Sequence, residues 1–534
     1  MIVKKVPGAK EVQMVYDARD RLIMTQDANL KNAGKWMVTI YDDQNRPINT
    51  GLWNSVLTGD QHRTNAFTVT NYPFTISTIP ASGFELLSET YYDTYSALPA
   101  GLQTFDNSFS ASLLAPSNSS FPYPQGYTPM PIARGMITGT KIKVLGTASQ
   151  FLYTASFYDD KGRVVQAKSQ NTTGGVDIVT TQYSYVGQVL VMVQRQQNAT
   201  AGNPQTHTII TKMEYDDAGR LLQVKKSVSS IINGVTVTKA EQPIVSNQYN
   251  TVGQLRSKKL SPTYNSNAGL ETLTSEYNIR GWLTGINRGY LLDRGASGYS
   301  ENYFGFEMGY DKTTTKPGTT SFANAQFNGN ISGVIWKSAG DEIRRKFDYG
   351  YDNINRLLKA DFVQNDAGST WSNTNMKFSV QMGDGLDPTT AYDANGNIKQ
   401  LSQYGWKVGT PGALIDQINY AYMNTGNSNK LLAVTDVVTG DNKLGDLTDK
   451  NTSADDYLYD DNGNLTIDKN KKITAITYNH LNLPLVITIK KDDGVTDKGT
   501  ISYTYDASGN KLQKTVLDKT VTPNKTTVTT YVGG

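Results

Sequence analysis

Hydrophobic and polar positions alternate over short stretches of this chain, and turn-forming residues interrupt the alternation. HTIITKMEY (His207 to Tyr215) is rich in β-branched residues ahead of a turn, and LLQVKKSV follows that turn. GTISYTYDASGNKLQKTVL and YLYDDNGNLTID repeat the scheme. Such alternation, bounded by Asp, Asn and Gly, predicts antiparallel β-hairpins, and long 3.6-residue apolar stripes are scarce. We therefore expect an all-β fold with little helix.

The turns share a short motif. The chain contains 14 Tyr-Asp or Tyr-Asn dipeptides, and 11 of them carry Gly, Asn or Asp three residues after the Asp or Asn. Composition alone places one of these three residues at only about a quarter of positions. The fitting copies begin at Tyr16, Tyr41, Tyr158, Tyr215, Tyr249, Tyr277, Tyr351, Tyr392, Tyr459, Tyr478 and Tyr505, whereas those at Tyr92, Tyr264 and Tyr310 do not fit.

The residue types predict the geometry of these turns. Asp or Asn suits the first position of a type I turn, where its side chain caps nearby backbone N–H groups. Three residues later stand residues that tolerate positive φ, namely Asp20, Asn45, Gly162, Gly219, Gly253, Gly281, Asn355, Gly396, Gly463, Asn482 and Gly509. A type I turn followed by such a residue is the common three-residue hairpin loop with a bulge. The spacing of the motif is irregular, which favours a long rolled sheet over a propeller with equal blades.

Composition excludes several function classes. At 534 residues we expect several domains or one extended repeat architecture. The net charge is +3 without a dense Lys/Arg block, which argues against nucleic-acid binding. The absence of cysteine excludes disulfides, thiolate nucleophiles and zinc-cysteine sites. No stretch is long and apolar enough for a membrane span, and the start of the chain shows no apolar signal segment.

The sequence resembles the YD-repeat, or RHS-repeat, family. YDDKGRVV, YDDAGRLL, YDANGNIK, YDDNGNLT and YDASGNKL match its Tyr-Asp-x-x-Gly-Arg/Asn-hydrophobic signature across residues 150–534. The repeat motif residues are Tyr158, Asp159, Gly162, Arg163, Tyr215, Asp216, Gly219, Arg220, Tyr351, Asp352, Asn355, Arg356, Tyr392, Asp393, Gly396, Tyr459, Asp460, Gly463, Tyr505, Asp506 and Gly509.

The resemblance implies a spiral of β-hairpins that forms part or all of a hollow β-shell. In bacterial polymorphic toxins of this kind, and in C-type subunits of insecticidal toxin complexes, that shell encloses a C-terminal toxic domain. Wall-associated surface proteins and teneurin-like adhesion receptors carry related repeats. Toxin-bearing members also have paired Asp-Pro-x-Gly motifs after the repeats, but here Asp387-Pro388 is followed by Thr-Thr. We therefore interpret the chain as a partial member with an exposed sheet edge that pairs with a partner chain.

Three regions are expected from the distribution of the motif. Residues 1–50 hold N-terminal YD-type repeats, residues 51–149 form a Pro/Ser/Gly-rich insertion or capping region, and residues 150–534 form the repeat β-spiral. We expect the middle region to be ordered only if aromatic residues such as Phe121 and Tyr123 dock onto the repeats.

Candidate chemistry is sparse. The three histidines, His62, His207 and His480, have no second ligand or base at a useful spacing, and the acidic turns fail the spacing of a calcium loop. No nucleotide, hydrolase or metalloprotease motif is present. We expect no enzyme activity and no catalytic, metal or cofactor-binding residue, and hence no cofactor.

Arginines and tryptophans offer two weaker alternatives. Arg21, Arg46, Arg163, Arg220 and Arg356 could bind acidic ligands, but we expect them to lie over Tyr rings or pair with turn Asp residues. Trp282, Trp336, Trp371 and Trp406 could stack on sugars, but packing on the sheet face is the favoured interpretation.

Two functions follow from this reading. The leading hypothesis is a structural shell segment that encapsulates or displays a toxin or other cargo domain in a secreted or cell-surface bacterial system. Its partners would be the cargo and the rest of the shell, or a partner shell chain. The alternative is a surface adhesion or carbohydrate-binding module without toxin cargo, for which glycans would be the partners.

Overall fold

The all-β fold is confirmed by the computed structural model. It describes residues 2–116, 121–131, 133–292, 302–318, 320–365, 370–407, 409–438, 447–448, 451 and 453–532. Of the residues in these ranges, half are in strands and 8% are in helices. None of the described helices has the length and apolar character needed to cross a membrane.

The strands of the first half range from 3 to 15 residues in length. They are β1 (Val3–Lys5), β2 (Glu11–Tyr16), β3 (Leu22–Gln26), β4 (Lys35–Tyr41), β5 (Pro47–Asn54), β6 (Phe84–Asp93), β7 (Ala133–Lys143), β8 (Phe151–Tyr158), β9 (Val164–Gln170), β10 (Val176–Tyr183), β11 (Val189–Asn198), β12 (Gln205–Tyr215), β13 (Leu221–Ile232), β14 (Val235–Tyr249), β15 (Leu255–Leu260), β16 (Glu271–Tyr277) and β17 (Leu283–Ile286).

The second half continues in the same way. Its strands are β18 (Phe304–Gly309), β19 (Gly333–Ser338), β20 (Arg344–Tyr351), β21 (Leu357–Asn365), β22 (Trp371–Ser372), β23 (Val380–Met382), β24 (Gln400–Lys407), β25 (Thr410–Tyr422), β26 (Leu431–Asp436), β27 (Tyr457–Tyr459), β28 (Leu465–Asp468), β29 (Ile473–Tyr478), β30 (Pro484–Lys490), β31 (Asp497–Tyr505), β32 (Lys511–Asp518) and β33 (Lys525–Thr530).

The helices are short and lie in the connections between strands. The α-helices are α1 (Ala28–Asn32), α2 (Gly59–Thr68), α3 (Tyr264–Asn267) and α4 (Pro388–Ala391). Single 3₁₀ turns cover Ile76–Thr78, Ala100–Leu102, Asn107–Ser112 and Arg288–Leu291. Asp387 caps α4, since its Oδ1 accepts from the Thr389 N–H at 2.8 Å, so this Asp-Pro pair starts a helical turn.

The pairing is antiparallel, and its irregularities fall at the motif tyrosines. Strands β1–β26 belong to one sheet and β27–β33 to a second. A one-residue register shift directly precedes the Tyr in most described hairpins, as at Tyr16, Tyr41, Tyr158, Tyr183, Tyr249, Tyr277, Tyr351, Tyr422, Tyr459, Tyr478 and Tyr505. These are the bulges that the turn pattern predicts.

The described chain forms two compact units. The first comprises Met1–Met213, Lys226–Glu241 and Tyr457–Gly534, and the second comprises Glu214–Lys225 and Gln242–Asp456. In the first unit, strand alternation buries Trp36, Val38 and Ile40 of β4 against α2 and its flanks. In the second unit, Leu291, Phe322 and Ile335 form a smaller core.

The region 51–149 docks onto the sheet through residues other than those expected. Leu98 and Leu102 pack on Ala155 and Phe157, whereas Phe121 and Tyr123 remain 42% and 39% exposed. Residues 117–120 and 132 lie outside the described part of the chain. The region boundaries at residues 50 and 149 stay a prediction.

Two buried glutamines hold the backbone of this region. The Gln166 side chain accepts from the Asp106 N–H and donates to the Asp106 carbonyl, at 2.8 and 2.9 Å. Gln182 does the same to Leu114, at 2.8 Å for both bonds. Both side chains are fully buried, so the sheet supplies hydrogen bonds that an irregular segment cannot make within itself.

Candidate functional site

Each motif turn is closed by its own Asp or Asn side chain. In the turn after β8, Asp159 Oδ1 accepts from the Lys161 N–H at 3.0 Å and the Arg163 N–H at 2.9 Å. Asp159 Oδ2 accepts from Arg163 Nε at 2.7 Å, and Asp159 is only 2% exposed. The carboxylate thus binds two backbone donors and one guanidinium, an arrangement that we call the turn clamp.

The clamp recurs in both units, and its side-chain donor is either Arg or Asn. Wherever the motif has Asp, the residue four positions later donates from its side chain to Oδ2, over 2.6–2.9 Å. These pairs are Asp17–Arg21, Asp42–Arg46, Asp159–Arg163, Asp216–Arg220, Asp352–Arg356, Asp393–Asn397, Asp460–Asn464 and Asp506–Asn510. All eleven predicted positions three residues after the Asp or Asn have positive φ. The predicted turn conformation is therefore confirmed.

Asn copies reverse or break the rule. Asn250 has Gln254 four residues later, and its Nδ2 donates to Gln254 Oε1 at 2.8 Å, so the direction of the bond is exchanged. Asn479 has Leu483 at that position. Its Oδ1 still accepts from the Leu481 and Leu483 N–H groups at 2.9 and 3.0 Å, but its Nδ2 is buried without a hydrogen-bond partner.

The motif tyrosine joins one hairpin to the next. Tyr183 Oη donates to the carbonyl of Val164, the first residue after the preceding turn, at 3.0 Å. The same bond, to a residue just after a preceding turn, is made by Tyr41 to Leu22, Tyr92 to Pro47, Tyr249 to Leu221, Tyr277 to Leu255, Tyr310 to Leu283, Tyr351 to Ile331, Tyr392 to Leu357, Tyr422 to Ile398 and Tyr478 to Leu465. Neighbouring repeats are thus coupled in sequence order.

Motif arginines reinforce this coupling. Each guanidinium lies over the Tyr ring of the following repeat, at 4.2–4.8 Å from the ring centroid. The pairs are Arg21–Tyr41, Arg46–Tyr92, Arg163–Tyr183, Arg220–Tyr249 and Arg356–Tyr392. The same arginines bind their own turn Asp, so both expected roles are filled at once.

Sequence reasoning missed the copies of the repeat at Tyr92 and Tyr310. Tyr92 and Tyr310 do not fit the motif spacing, yet their hydroxyls make the inter-repeat bond. Tyr183 is followed by Ser184, whose Oγ accepts from the Gln188 N–H at 3.0 Å as an Asp would, and Gly187 has a φ of 94°. The stretch YSYVGQVLV, which begins at Tyr183, is therefore the degenerate copy of the motif that its sequence indicates.

Clamping and burial shift several pKa values. The Arg220 backbone N–H holds the pKa of the Asp216 carboxyl below its ordinary value, burial opposes this, and the Arg220 guanidinium lowers the pKa further. Burial raises the pKa of the Tyr215 and Tyr351 hydroxyls, so both stay protonated, and Tyr351 donates to the Ile331 carbonyl. Neither effect prepares a general acid or base near neutral pH.

The histidines occupy three different environments. His62 is fully buried, its Nδ1 lies 2.5 Å from Tyr72 Oη, its ring packs edge-on against Trp36, and burial lowers its pKa to about 4. His207 lies near Ser230 and Gln205 side chains at 2.9 and 3.2 Å. His480 lines a cavity described below. No cluster of three potential metal ligands occurs within the described ranges.

The tryptophans mainly pack on other aromatic rings. Trp336 stacks on Phe347 with centroids 5.5 Å apart, and Trp282 contacts Tyr310 at 5.2 Å. Trp371 packs against the Leu291 cluster, while Trp406 is 41% exposed. Packing on the sheet is therefore what the structure shows for three of the four.

Within the first unit, the C-terminal repeats meet the N-terminal ones along a seam. We use this name for the turns at 460–463 and 505–507 together with residues 29–32 and 143–146, which they contact. Asn29 Nδ2 donates to Asp460 Oδ2 at 2.8 Å, and Asn32 Nδ2 donates to Asp461 Oδ2 at 3.0 Å. The backbones also bond, with the Leu145 N–H donating to the Tyr505 carbonyl at 2.8 Å.

A cavity of about 700 Å³ lies beside the seam. Leu30, Leu52, Leu145, Ile476 and Leu485 supply apolar wall, and Asp27, Lys35, Glu85, Asp460, Asn479 and His480 are among its polar residues. His480 Nε2 is buried without a hydrogen-bond partner. This concave site combines an apolar wall with buried polar atoms that have no hydrogen-bond partner.

Comparison with known proteins gives distant structural likenesses. No protein-family model and no curated protein matches the chain. The chain is similar to one in the crystal structure of TcdB2-TccC3-Cdc42, with 12% identity, a TM-score of 0.36, and coverage of 99% of this chain and 20% of the other. The chain is also similar to one in the crystal structure of TcdB2-TccC3-TEV, with 12% identity and a TM-score of 0.34. The match covers 99% of this chain and 20% of the other.

A third likeness is to a chain of the Tc holotoxin pore of Photorhabdus luminescens, with 14% identity and a TM-score of 0.28. It covers 98% of this chain and 26% of the other. The chain thus spans only a fifth to about a quarter of the length of these proteins. Likeness at this level assigns no function.

Proposed function

We propose that this chain is a wall segment, built from YD-type hairpins, that encloses a cargo domain of a secreted toxin system. The observation that carries the proposal is the inter-repeat coupling. A clamp closes each turn, and a Tyr hydroxyl and an Arg guanidinium tie that turn to the next hairpin. Such nearest-neighbour contacts extend a sheet without requiring a thick core.

Strand burial supports a wall. All seven residues of β30 (Pro484–Lys490) are half-buried, so neither face of this strand is clearly the solvent face. A sheet that packs one face on a core and exposes the other alternates instead, as β4 does in the aromatic cluster. The resemblance of the motif to YD-repeat proteins supplies the cargo part of the proposal.

The seam supports enclosure in particular. It joins repeats that lie more than 400 residues apart in sequence, as the Asn29–Asp460 and Asn32–Asp461 bonds show. Side-chain and backbone contacts at this boundary cover turns that would otherwise face water.

Protection of a fused reporter tests the proposal. A small protease-sensitive reporter joined after Gly534 should be digested more slowly than the free reporter. In a seam variant, Asn29→Ala with Asn32→Ala, the protection should fall. Thr236→Ala, on exposed β14, is the matched control and should leave protection unchanged. Digestion of the reporter in the parent protein at the rate of the free reporter would rule out enclosure by this chain.

A further inference from the structure

The turn after β29 lacks the side-chain pair that closes the eight Asp turns. Its Asn479 presents an amide where eight copies present a carboxylate, and Leu483 offers no side-chain partner. A buried amide donor without a partner costs about 1–3 kcal/mol. Local inconsistencies of this kind in an otherwise regular repeat point to a functional site.

The same turn carries a second unsatisfied group. His480 follows Asn479 directly, and its Nε2 is buried without a partner. Both residues line the 700 Å³ cavity beside the seam. Burial lowers the pKa of His480, with Glu85 and Asp27 opposing this shift and Lys35 adding to it, so the imidazole is neutral at neutral pH.

The charges of the cavity restrict its ligand. Asp27, Glu85 and Asp460 face it with a single lysine, Lys35, which disfavours an anion. Each of these carboxylates already has a donor within the protein: Leu30 N–H for Asp27, Lys143 Nζ for Glu85, and Asn29 Nδ2 for Asp460, at 2.7–2.8 Å. All three carboxylates are therefore hydrogen-bonded without a cation in the cavity, and the Lys143 ammonium offsets the charge of Glu85.

Donors and acceptors both remain for a ligand. Asn479 Nδ2 and Lys35 Nζ are donors, and the second oxygens of the Asp27 and Glu85 carboxylates are acceptors. A hydroxyl group both donates and accepts, and the C–H face of a sugar ring packs on aliphatic side chains such as Leu52 and Leu485. A volume of about 700 Å³ lies within the range of small-molecule sites.

We infer that this cavity binds a neutral, hydroxyl-rich ligand of the size of a mono- or disaccharide, with the Asn479 amide and the His480 imidazole as its central hydrogen-bonding groups. The site lies inside the wall beside the seam, not on an exposed aromatic surface. Ligand binding there would add contacts between N-terminal and C-terminal repeats. The inference stands whether or not the wall encloses cargo.

Ligand-observed NMR with the intact chain tests the inference. The probes are glucose, galactose, N-acetylglucosamine, maltose and lactose, each in excess over protein, with spermidine as a cationic probe and sulfate as an anionic one. At least one sugar should bind and raise the Tm of the protein, whereas spermidine and sulfate should not bind at this site. Failure of every sugar, or competition by spermidine for the same site, overturns the inference.

A matched pair of variants localises the binding. Asn479→Asp with Leu483→Asn rebuilds the clamp of the neighbouring Asp460–Asn464 turn, consumes the free polar group and preserves the turn. It should weaken sugar binding about tenfold, as expected for one lost hydrogen bond. Asn250→Asp with Gln254→Asn makes the same exchange away from the cavity and should leave binding unchanged.

A cavity-filling variant guards against an indirect effect. Thr466→Trp places a large ring in the cavity lining and should abolish binding while the far-ultraviolet circular dichroism stays that of the parent. Sugar binding that persists in both Thr466→Trp and the Asn479→Asp, Leu483→Asn variant contradicts this location.

Discussion

The turns at 158–163 and 478–483 share a backbone path but differ in what their side chains satisfy. Asp159 binds two backbone N–H groups and the Arg163 guanidinium, and nothing polar is left over. Asn479 Oδ1 also accepts from the backbone N–H groups two and four residues later, but its Nδ2 has no hydrogen-bond partner. The hydrogen bonds to the backbone N–H groups form the turn in both cases. The residue four positions later decides whether the remaining polar atom of the Asp or Asn side chain has a partner within the protein or is left to bind a ligand.

The largest expected effect comes from removing the complete clamp. Asp159→Ala removes three hydrogen bonds and leaves Arg163 without its carboxylate, so we expect a loss of about 3 kcal/mol in the free energy of unfolding. Asn479→Ala removes only two backbone bonds and should cost about 1–2 kcal/mol. Chemical denaturation of both variants checks the order, and equal losses would contradict the distinction between the two turns.

The inter-repeat bond should contribute less. Tyr183→Phe removes the hydroxyl that donates to Val164, and we expect a loss of about 1 kcal/mol because the carbonyl is left in a part-buried site. Tyr185→Phe, at a ring that is 64% exposed, is the control and should be neutral. If thermal unfolding shows the two variants to be alike, the Tyr hydroxyl is not what couples the repeats.

Lowering the pH should protonate the Asp side chains of the clamps and weaken them, whereas turns that begin with Asn have no carboxylate to protonate. The pKa of Asp216 lies below the ordinary 3.8, first because the Arg220 N–H binds its carboxylate. A lowered pKa in the folded state means that the clamp stabilises the protein above pH 3.8 and loses this contribution as the pH falls through the lowered value. A carbon-13 titration of the Asp216 carboxyl should give a midpoint below 3.8, and a midpoint at or above 3.8 would refute the clamp at this turn.

Local periodicity made much of the fold predictable. Strand alternation, the Asp or Asn that begins each turn and the positive-φ residue three positions later are all local, so the hairpins and their bulges follow from sequence. The dual role of the arginines was predictable for the same reason. The Tyr183–Ser184 copy departs from the motif because Ser replaces Asp while conserving only the acceptor atom.

Long-range contacts were not predictable in this way. The binding of the 51–149 region by Gln166 and Gln182 depends on partners about 60 residues away, and glutamines in alternating strands look like surface residues. The seam joins Asn29 to Asp460, a pairing that no local pattern encodes. The cavity was not predicted because His480 has no metal or catalytic partner in the sequence. The local signal is Leu483, which stands where a polar side chain would have paired with Asn479.

The most direct test of the central claim is a double-mutant cycle on Asn479→Asp and Leu483→Asn, measured as free energies of unfolding. If the residue four positions after the Asp closes the clamp, the free energy of unfolding of the double variant should exceed the value expected from adding the two single effects by about 0.5–1 kcal/mol. Asn479→Asp alone places a carboxylate where no side-chain donor stands four residues later, and it should destabilise the protein. Additive effects of the two substitutions would contradict the clamp rule.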